Sequence, residues 1–427
     1  MLYVLNENNK HVQQPYGMAV MRMDGKILTV NEVGGDILSL LTTAKQQDEL
    51  IGAVASLYEV ERDVLCEDVE DFLNFSIEND IVKTYPSTAQ PEVHLMGSSE
   101  ATSVIQADIE LTYNCAYMCS YCYVDKRDKT ILRYDDWEKI INNLVKKGVM
   151  QVSLTGGDPL LHPDFPQIIQ LLNRHKLKVQ VFTTGHKIPQ RNLDALLRSE
   201  LNFVHVSIDS LDKTRNDAHR ISKDGSSATE NTLNFIRLLK DHKIKIAMGV
   251  LVKPDQMEKD LHEISKFAIE NKITARFSGI VKRGIEESIT YDSEILPPPA
   301  YSELNKITEQ YDSENEYLEF EPVGCTDNKL PCKFNLGFIA IGPTGFVRPC
   351  LESETFFKQH IPEQMSKKID VFSFEYLEET SFFQHLSAID PQNMPDPDGW
   401  CSGCEKISAC LGCILAGNRC KSITLNQ

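Results

Sequence analysis

The residues best placed to do chemistry are three cysteines, Cys115, Cys119 and Cys122, within Asn114-Cys115-Ala116-Tyr117-Met118-Cys119-Ser120-Tyr121-Cys122-Tyr123. Thiolates at CxxxCxxC spacing can hold three corners of a 4Fe–4S cubane. The fourth iron then has no protein ligand, so a small molecule can bind metal directly. The competing readings are a zinc site and plain core cysteines. Zinc sites usually close four ligands in two CxxC pairs, and no fourth Cys or His stands nearby in sequence.

A second set follows much later. Eight of the 12 cysteines read Cys325-x6-Cys332-x12-Gly345-x4-Cys350, then, after a gap, Cys401-x2-Cys404-x5-Cys410-x2-Cys413-x6-Cys420. Eight thiolates are enough for two fully ligated cubanes, with a pair of zinc sites as the alternative. The remaining Cys66 falls in an apolar helical stripe and reads as a buried or spare thiol.

The chain of 427 residues has room for two or three domains. No apolar run reaches the ~18 residues of a membrane span, and the first residues lack a signal peptide's basic and apolar regions. These features suggest a cytoplasmic protein, where clustered cysteines act as metal ligands before they act as disulfides. The net charge of −18 argues against nucleic acid as a partner. Residues 1–85 carry 15 Asp plus Glu against 6 Lys plus Arg, so half of that charge sits in the first fifth of the chain. A partner bound there would be basic or apolar.

The elements that must position these residues fall into three regions. In residues 1–85, strand-like runs at Met18–Met23 and Lys26–Val30 flank an Asp24-Gly25 turn. Helical patterns follow at Gly34–Thr42, Asp48–Tyr58 and Asp63–Asn79, the last striped by Val64, Leu65, Val69, Phe72, Leu73 and Phe75. Residues 86–104 are polar, broken by Pro86 and Pro91, and read as a linker. In residues 105–315, six strand patterns (Ile105–Thr112, Gln151–Thr155, Lys178–Thr183, Phe203–Ile208, Lys245–Val252, Ala275–Ile280) alternate with helices. The expected fold is an α/β partial barrel with parallel strands. Pro297-Pro298-Pro299 interrupts that pattern before a last helix. Residues 316–427 are less regular and hold the tail cysteines.

In parallel α/β barrels, chemistry gathers at the C-terminal strand ends, and the CxxxCxxC loop follows the first such strand. The other strand ends supply further candidates. Thr155-Gly156-Gly157-Asp158-Pro159 follows the second; its glycines allow close backbone approach to a ligand, and Asp158 could accept bonds from an ammonium. Thr183-Thr184-Gly185 follows the third. Ser207-Ile208-Asp209 follows the fourth, with Ser207 and Asp209 able to bond ribose hydroxyls. Val250 and Leu251 end the fifth, to pack on an adenine or simply on the core. No spacing singles out a catalytic base.

CxxxCxxC followed by Tyr123 just after a strand resembles the radical S-adenosylmethionine (SAM) enzymes. The resemblance implies a SAM-binding 4Fe–4S cluster at Cys115, Cys119 and Cys122. It also implies SAM contacts from Tyr123, Gly156, Gly157, Asp158, Thr184, Ser207, Asp209 and Val250. Arg220, in Asn216-Asp217-Ala218-His219-Arg220, aligns with the family's carboxylate-binding arginine. A charge-assisted guanidinium contact suits that task. Relatives often carry Glu at Asp158 and Gly at Ile221, so the Asp158 contact would come from backbone. Gly-x4-Cys and Cys-x2-Cys-x5-Cys resemble the SPASM domain. By that pattern Cys325, Cys332, Cys350 and Cys413 would hold one auxiliary cluster, and Cys401, Cys404, Cys410 and Cys420 a second. The first region resembles the winged-helix-like leader-recognition domain of ribosomal-peptide maturation systems, on Leu28-Thr29-Val30-Asn31 and Asp68-Val69-Glu70-Asp71-Phe72-Leu73 running to Ile81-Val82. Together these imply a maturase that cross-links a precursor peptide through thioether bonds, with an electron donor such as flavodoxin or ferredoxin. A carbon–carbon cross-linking cyclase and a formylglycine-forming maturase are the alternatives.

Overall fold

The computed structural model describes residues 1–86, 92–122, 124, 130–252, 257–279, 317–320, 337–351 and 369–383. They divide into two compact units. One is Met1–Ile105 with Asn143–Met150 and Phe374–Thr380; the other is Gln106–Asn142 with Gln151–Ser373 and Ser381–Gln427.

In the first unit, β1 (Leu2–Leu5) pairs antiparallel with β5 (Val82–Tyr85). The strands β2 (Lys10–Gln14), β3 (Gly17–Met21) and β4 (Ile27–Val30) form an antiparallel meander, which β6 (Met96–Gly97) extends in parallel beside β2. The β3–β4 turn closes at Asp24-Gly25, where Gly25 takes φ +77° and the Asp24 carboxylate accepts from the Lys26 amide at 3.0 Å. Helices α1 (Glu32–Leu40), α2 (Gln47–Tyr58) and α3 (Arg62–Glu78) follow. The Asn31 side chain caps α1 by accepting from the Gly34 amide at 3.0 Å. Their apolar faces bury Leu38, Leu50, Val54, Val69 and Leu73 against Val20 and Val30 of the meander.

Three expectations for this region change. The α3 stripe is narrower than expected: Val64 and Phe75 are 69% and 44% exposed, while Val69 and Leu73 are buried. Cys66 is exposed and is a spare thiol, not a buried one. The presumed linker is packed in its described part. Val93, Thr102, Ser103 and Val104 are buried, with the Ser103 amide donating to the Gln14 side chain at 3.0 Å. Its polar composition hid this because specific partners take part of its backbone: the Ser103 amide donates to Gln14, the Thr102 amide to Glu378 and the Val93 amide to the Thr42 carbonyl.

The second unit is α/β. Six parallel strands run in spatial order β14 (Thr274–Gly279), β13 (Ile246–Val252), β11 (Phe203–Ser207), β10 (Lys178–Thr183), β9 (Gln151–Gly156) and β7 (Gln106–Thr112). Helices α4 (Tyr134–Lys146), α5 (Phe165–Arg174), α6 (Gln190–Leu197), α8 (Ala228–Asp241) and α9 (Met257–Asn271) fall between them in sequence. The expected break at 315 is not a break in the sheet. Strand β15 (Leu318–Phe320) adds in parallel beside β14, and β16 (Phe338–Ile341) in parallel beside β7. Strands β17 (Phe346–Arg348) and β18 (Ile369–Asp370) continue beyond β16 as antiparallel neighbours. Pro297-Pro298-Pro299, Tyr123 and the tail cysteines other than Cys350 lie outside the described residues.

Register makes the two sheet faces chemically opposite. One row carries Ile109, Leu154, Val181, Val206, Met248 and Phe277, all buried. Apolar side chains of α5, α8 and α9 pack onto these strands. The alternate row carries Asp108, Glu110, Ser153, Gln180, His205 and Arg276. A period of two therefore splits five of the six strands between an apolar face and a more polar one, while β13 places only Ala247, Gly249 and Leu251 on the second face.

Candidate active site

The loop after β7 folds back as a short strand, β8 (Tyr117–Cys119). After β11, helix α7 (Lys213–His219) leads into β12 (Arg220–Ser222), which pairs antiparallel with β8. Arg220 sits opposite Cys119, Ile221 opposite Met118 and Ser222 opposite Tyr117. Further bonds pin the cysteine loop. The Lys223 ammonium donates to the Cys115 carbonyl at 2.7 Å, and the Ser120 amide to the His219 carbonyl at 3.1 Å. Neither α7 nor β12 was expected from sequence, since both are short and polar.

Cys115 is buried; Cys119 and Cys122 are partly exposed; none is in a disulfide. Among the described residues, no three His, Cys, Asp or Glu side chains converge into a ready-made metal site. The donors nevertheless fit an iron–sulfur cluster in number and kind, with three thiols on one loop and the Arg220 charge interacting with Cys119.

Tyr121, between the second and third cysteines, donates its hydroxyl to the Asp209 carboxylate. Asp209 also receives a fork from Arg220, at 3.0 Å from Nε and 2.7 Å from Nη2. Both partners are almost wholly buried, at 5% and 3% exposure. Burial works against the Arg220 charge, yet Asp209, Tyr121 and Cys119 together raise its pKa well above the usual guanidinium value. Burial, with Asp209, likewise lifts the Tyr121 phenol well above its ordinary range. Behind them, the buried Asn216 side chain accepts from the Asp209 amide at 3.0 Å and donates to Thr229 at 3.0 Å. Asp209 and Arg220, expected to meet ribose and a ligand carboxylate separately, are thus joined to each other. Tyr121 and Asn216 were missed; Tyr121's place inside the cysteine motif was the available signal.

The glycine-rich turn also serves the protein itself. Gly157 sits where a Cβ would lie 2.4 Å from the Asn114 carbonyl, and Gly156, at φ +115°, where one would lie 2.4 Å from the Thr112 carbonyl. The close approach is therefore to the backbone entering the cysteine loop, with the Gly157 amide donating to Thr112 at 2.7 Å and the Asp158 amide to Asn114 at 2.8 Å. The Asp158 carboxylate, fully buried, accepts from Leu160 N, Thr183 Oγ1, Thr184 N and Thr184 Oγ1 at 2.8–3.1 Å. Burial raises its pKa, and these four donors partly offset that. Asp158 and Thr184 therefore clasp the second strand end to the third. Val250, 2% exposed, belongs to the apolar row with Met248 and Phe277. Its neighbour Gly249 faces the polar side, where a Cβ would meet nothing within 4 Å. Ser207 is half-buried at the end of β11, opposite Gly249.

A parallel α/β sheet with a CxxxCxxC loop leaving its first central strand, tied to the fourth strand end through Asp209 and Arg220, defines a radical SAM enzyme. The chain carries a Radical SAM superfamily domain over residues 109–268 and a coenzyme PQQ synthesis protein D (PqqD) domain over residues 4–82. It is 23% identical to the antilisterial bacteriocin subtilosin biosynthesis protein AlbA of Bacillus subtilis (strain 168), across 77% of this chain and 72% of that protein. It is 25% identical to the PqqA peptide cyclase of Gluconobacter oxydans (strain 621H), across 74% and 86%. Its fold matches that of Streptococcus suis SuiB, in a crystal structure bound to the precursor peptide SuiA, with a TM-score of 0.67 over 98% of both chains at 14% identity. Among the described residues no helix is long and apolar enough to cross a membrane.

Proposed function

We propose that this protein oxidatively cross-links a ribosomally made precursor peptide, joining a cysteine sulfur to a peptide carbon as a thioether. The observation that carries the reading is the union, in one chain, of a PqqD domain with a radical SAM domain. The likeness to AlbA supports it. Cys115, Cys119 and Cys122 would hold the first cluster. That cluster supplies, when bound, the electron that splits SAM into methionine and a 5′-deoxyadenosyl radical able to take hydrogen from carbon. The chain's own residues prepare that event. Tyr121, Asp209 and Arg220 hold the cysteine loop against the fourth strand end, while Gly156, Gly157 and Asp158 fix its entry. Ser207, Thr184 and the backbone of the glycine turn border the same strand ends and would line the SAM site, as would Tyr123.

Forming a thioether from a thiol and a C–H bond removes two hydrogens, so two electrons and two protons must leave. One electron–proton pair leaves as the hydrogen atom taken by the 5′-deoxyadenosyl radical and the thiol proton passes to solvent, so the auxiliary clusters would accept the one remaining electron, one cluster at Cys325, Cys332, Cys350 and Cys413, the other at Cys401, Cys404, Cys410 and Cys420. A flavodoxin- or ferredoxin-type donor would supply the initiating electron, in a reducing cytoplasm. The PqqD domain would hold the leader, as an added strand on a sheet edge.

Co-expression with the precursor peptide tests this by mass spectrometry. The product should be two hydrogens (about 2 Da) lighter per cross-link, with one cysteine per link resistant to alkylation. An unchanged mass, from protein with intact clusters, would refute cross-linking. A lighter peptide whose cysteines all still alkylate would favour carbon–carbon joining, the second reading, which the likeness to PqqA peptide cyclase supports.

A further inference from the structure

His205 is a buried imidazole whose two nitrogens are used unequally. It lies on the polar row of β11, 3% exposed, two residues (about 6–7 Å of strand) before Ser207 at the strand end. Phe182, its cross-strand neighbour on β10, stacks on it at 4.0 Å between ring centres, and Phe203 meets it edge-on at 4.6 Å. From β14, Arg276 reaches past β13 to its Nε2 at 3.2 Å. Small residues leave that path open: this face of β13 carries Ala247 opposite His205, and Gly249 between Ser207 and Arg276. A Cβ on Gly249 would meet nothing within 4 Å. A guanidinium has no acceptor, so Arg276 donates and Nε2 accepts, which places the imidazole proton on Nδ1. Burial and the Arg276 charge depress the pKa to about 3, so the ring is neutral near pH 7 and keeps that single N–H. Among the described residues none accepts from Nδ1. A buried donor left unspent costs free energy that a bound acceptor recovers.

We infer that the Nδ1–H of His205 donates a hydrogen bond to a backbone carbonyl oxygen of the core peptide, holding the peptide one layer below the strand ends. The inference rests on the peptide-modifying reading above and adds a substrate contact to it. Arg276 polarises the ring through Nε2, which strengthens Nδ1–H as a donor. The stacked Phe182 and edge-on Phe203 fix the ring plane, so the direction of donation is set before the peptide arrives. A peptide offers a carbonyl at every residue, and a neutral donor grips it without burying a further charge. Such a contact positions the chain whatever its side chains are. SAM is the lesser candidate for this donor, because its expected contacts at Thr184 and Ser207 lie at the strand ends.

Three substitutions test this by where they put a donor. Asn carries its amide N–H close to the Nδ1 position, Gln reaches instead to the Nε2 position, and Phe has no donor at all. The readouts are the affinity of the reconstituted, SAM-bound protein for a fluorescently labelled leaderless core peptide, and the 5′-deoxyadenosine released per cross-link with the full precursor. His205→Phe should weaken core affinity about tenfold, the worth of one hydrogen bond, and raise the deoxyadenosine released per cross-link. His205→Gln should behave like His205→Phe, and His205→Asn should recover most of the loss. Equal affinities in all three variants and the unsubstituted protein would overturn the inference. Equal losses in Asn and Phe would overturn it too, since a packing role ignores where the donor stands. Weakened SAM binding with unchanged core affinity would give the donor to SAM instead. Nitrogen NMR of isotope-labelled histidine, with His205 assigned by its absence in His205→Asn, checks the premise without turnover. The Nδ1–H tautomer is expected at pH 7, and the Nε2–H tautomer would overturn the inference. Should the unsubstituted protein form no cross-link while the Phe, Gln and Asn affinities follow this order, the cross-linking reading fails and the peptide contact stands.

Discussion

Asp158 illustrates how a carboxylate in a glycine-rich strand-end turn can serve the fold itself. Its carboxylate is buried and meets four donors from Leu160, Thr183 and Thr184. Removing a buried acceptor leaves each donor to bear its own desolvation penalty, typically about 1–3 kcal/mol apiece. Asp158→Ala should therefore destabilise the SAM-free protein by about 3 kcal/mol or more. Thr184→Val, which deletes one hydroxyl and keeps the backbone amide bond, should cost about 1 kcal/mol. Urea unfolding without SAM gives both values. A near-neutral Asp158→Ala, with weakened SAM binding, would return this carboxylate to the ligand. Arg220 and Asp209 obey the same logic: a fork between buried partners fixes both side chains, so neither charge can be changed alone without stranding the other.

Between elements, the sequence was most legible where periodicity is long and regular. The six central strands and the helices between them come from clear switches between periods of two and 3.6, and the strand ends fall within a residue of expectation. The cysteine motif was legible for a different reason, because thiol spacing is chemistry that does not depend on the surrounding fold. The pieces that complete the site were not legible. Strands β8 and β12, three residues each, are too short to show alternation, and α7 is mostly polar; only long-range pairing of Cys119 with Arg220 gives them shape. The same holds for β16, a four-residue strand whose place beside β7 depends on a partner more than 200 residues away.

The polar row of the sheet carries a pH signature. His205 stacks on Phe182 at 4.0 Å between ring centres, and Arg276 Nη1 donates to its Nε2 at 3.2 Å. Burial, reinforced by the Arg276 charge, depresses its pKa to about 3. In the unfolded chain the imidazole titrates near 6.5. Between those values the unfolded state binds a proton that the folded state refuses, so stability falls as pH falls. The slope attributable to His205 approaches about 1.4 kcal/mol per pH unit below pH 6.5. His11 and His162, also depressed by burial, act in the same direction. Urea midpoints from pH 7.5 to 5 should therefore drop in the native protein and drop less steeply in His205→Gln. Equal slopes would show that His205 takes up its proton in the folded chain over the same pH range as in the unfolded one.

For the whole molecule, a PqqD domain and a radical SAM domain on one chain make sense energetically only if the peptide uses both. A leader held by the first domain converts the core peptide's encounter with the second into an intramolecular event, at an effective concentration of order millimolar for a short flexible connection. At micromolar peptide this predicts that a leaderless core is modified about 1,000-fold more slowly than the full precursor. A leader supplied as a separate molecule should not restore the rate, because without the covalent connection it raises no local concentration. The sign of charge gives an independent handle. Residues 1–85 hold a net −9, so a leader with basic residues should bind more weakly as salt rises, whereas a purely apolar leader should not. Initial rates for precursor, leaderless core and core plus separate leader, followed by mass loss at two ionic strengths, decide between these cases. Should the separate leader restore full turnover, the PqqD domain would be acting as an allosteric switch that its ligand turns on, and tethering would be the wrong account of why the two domains share a chain.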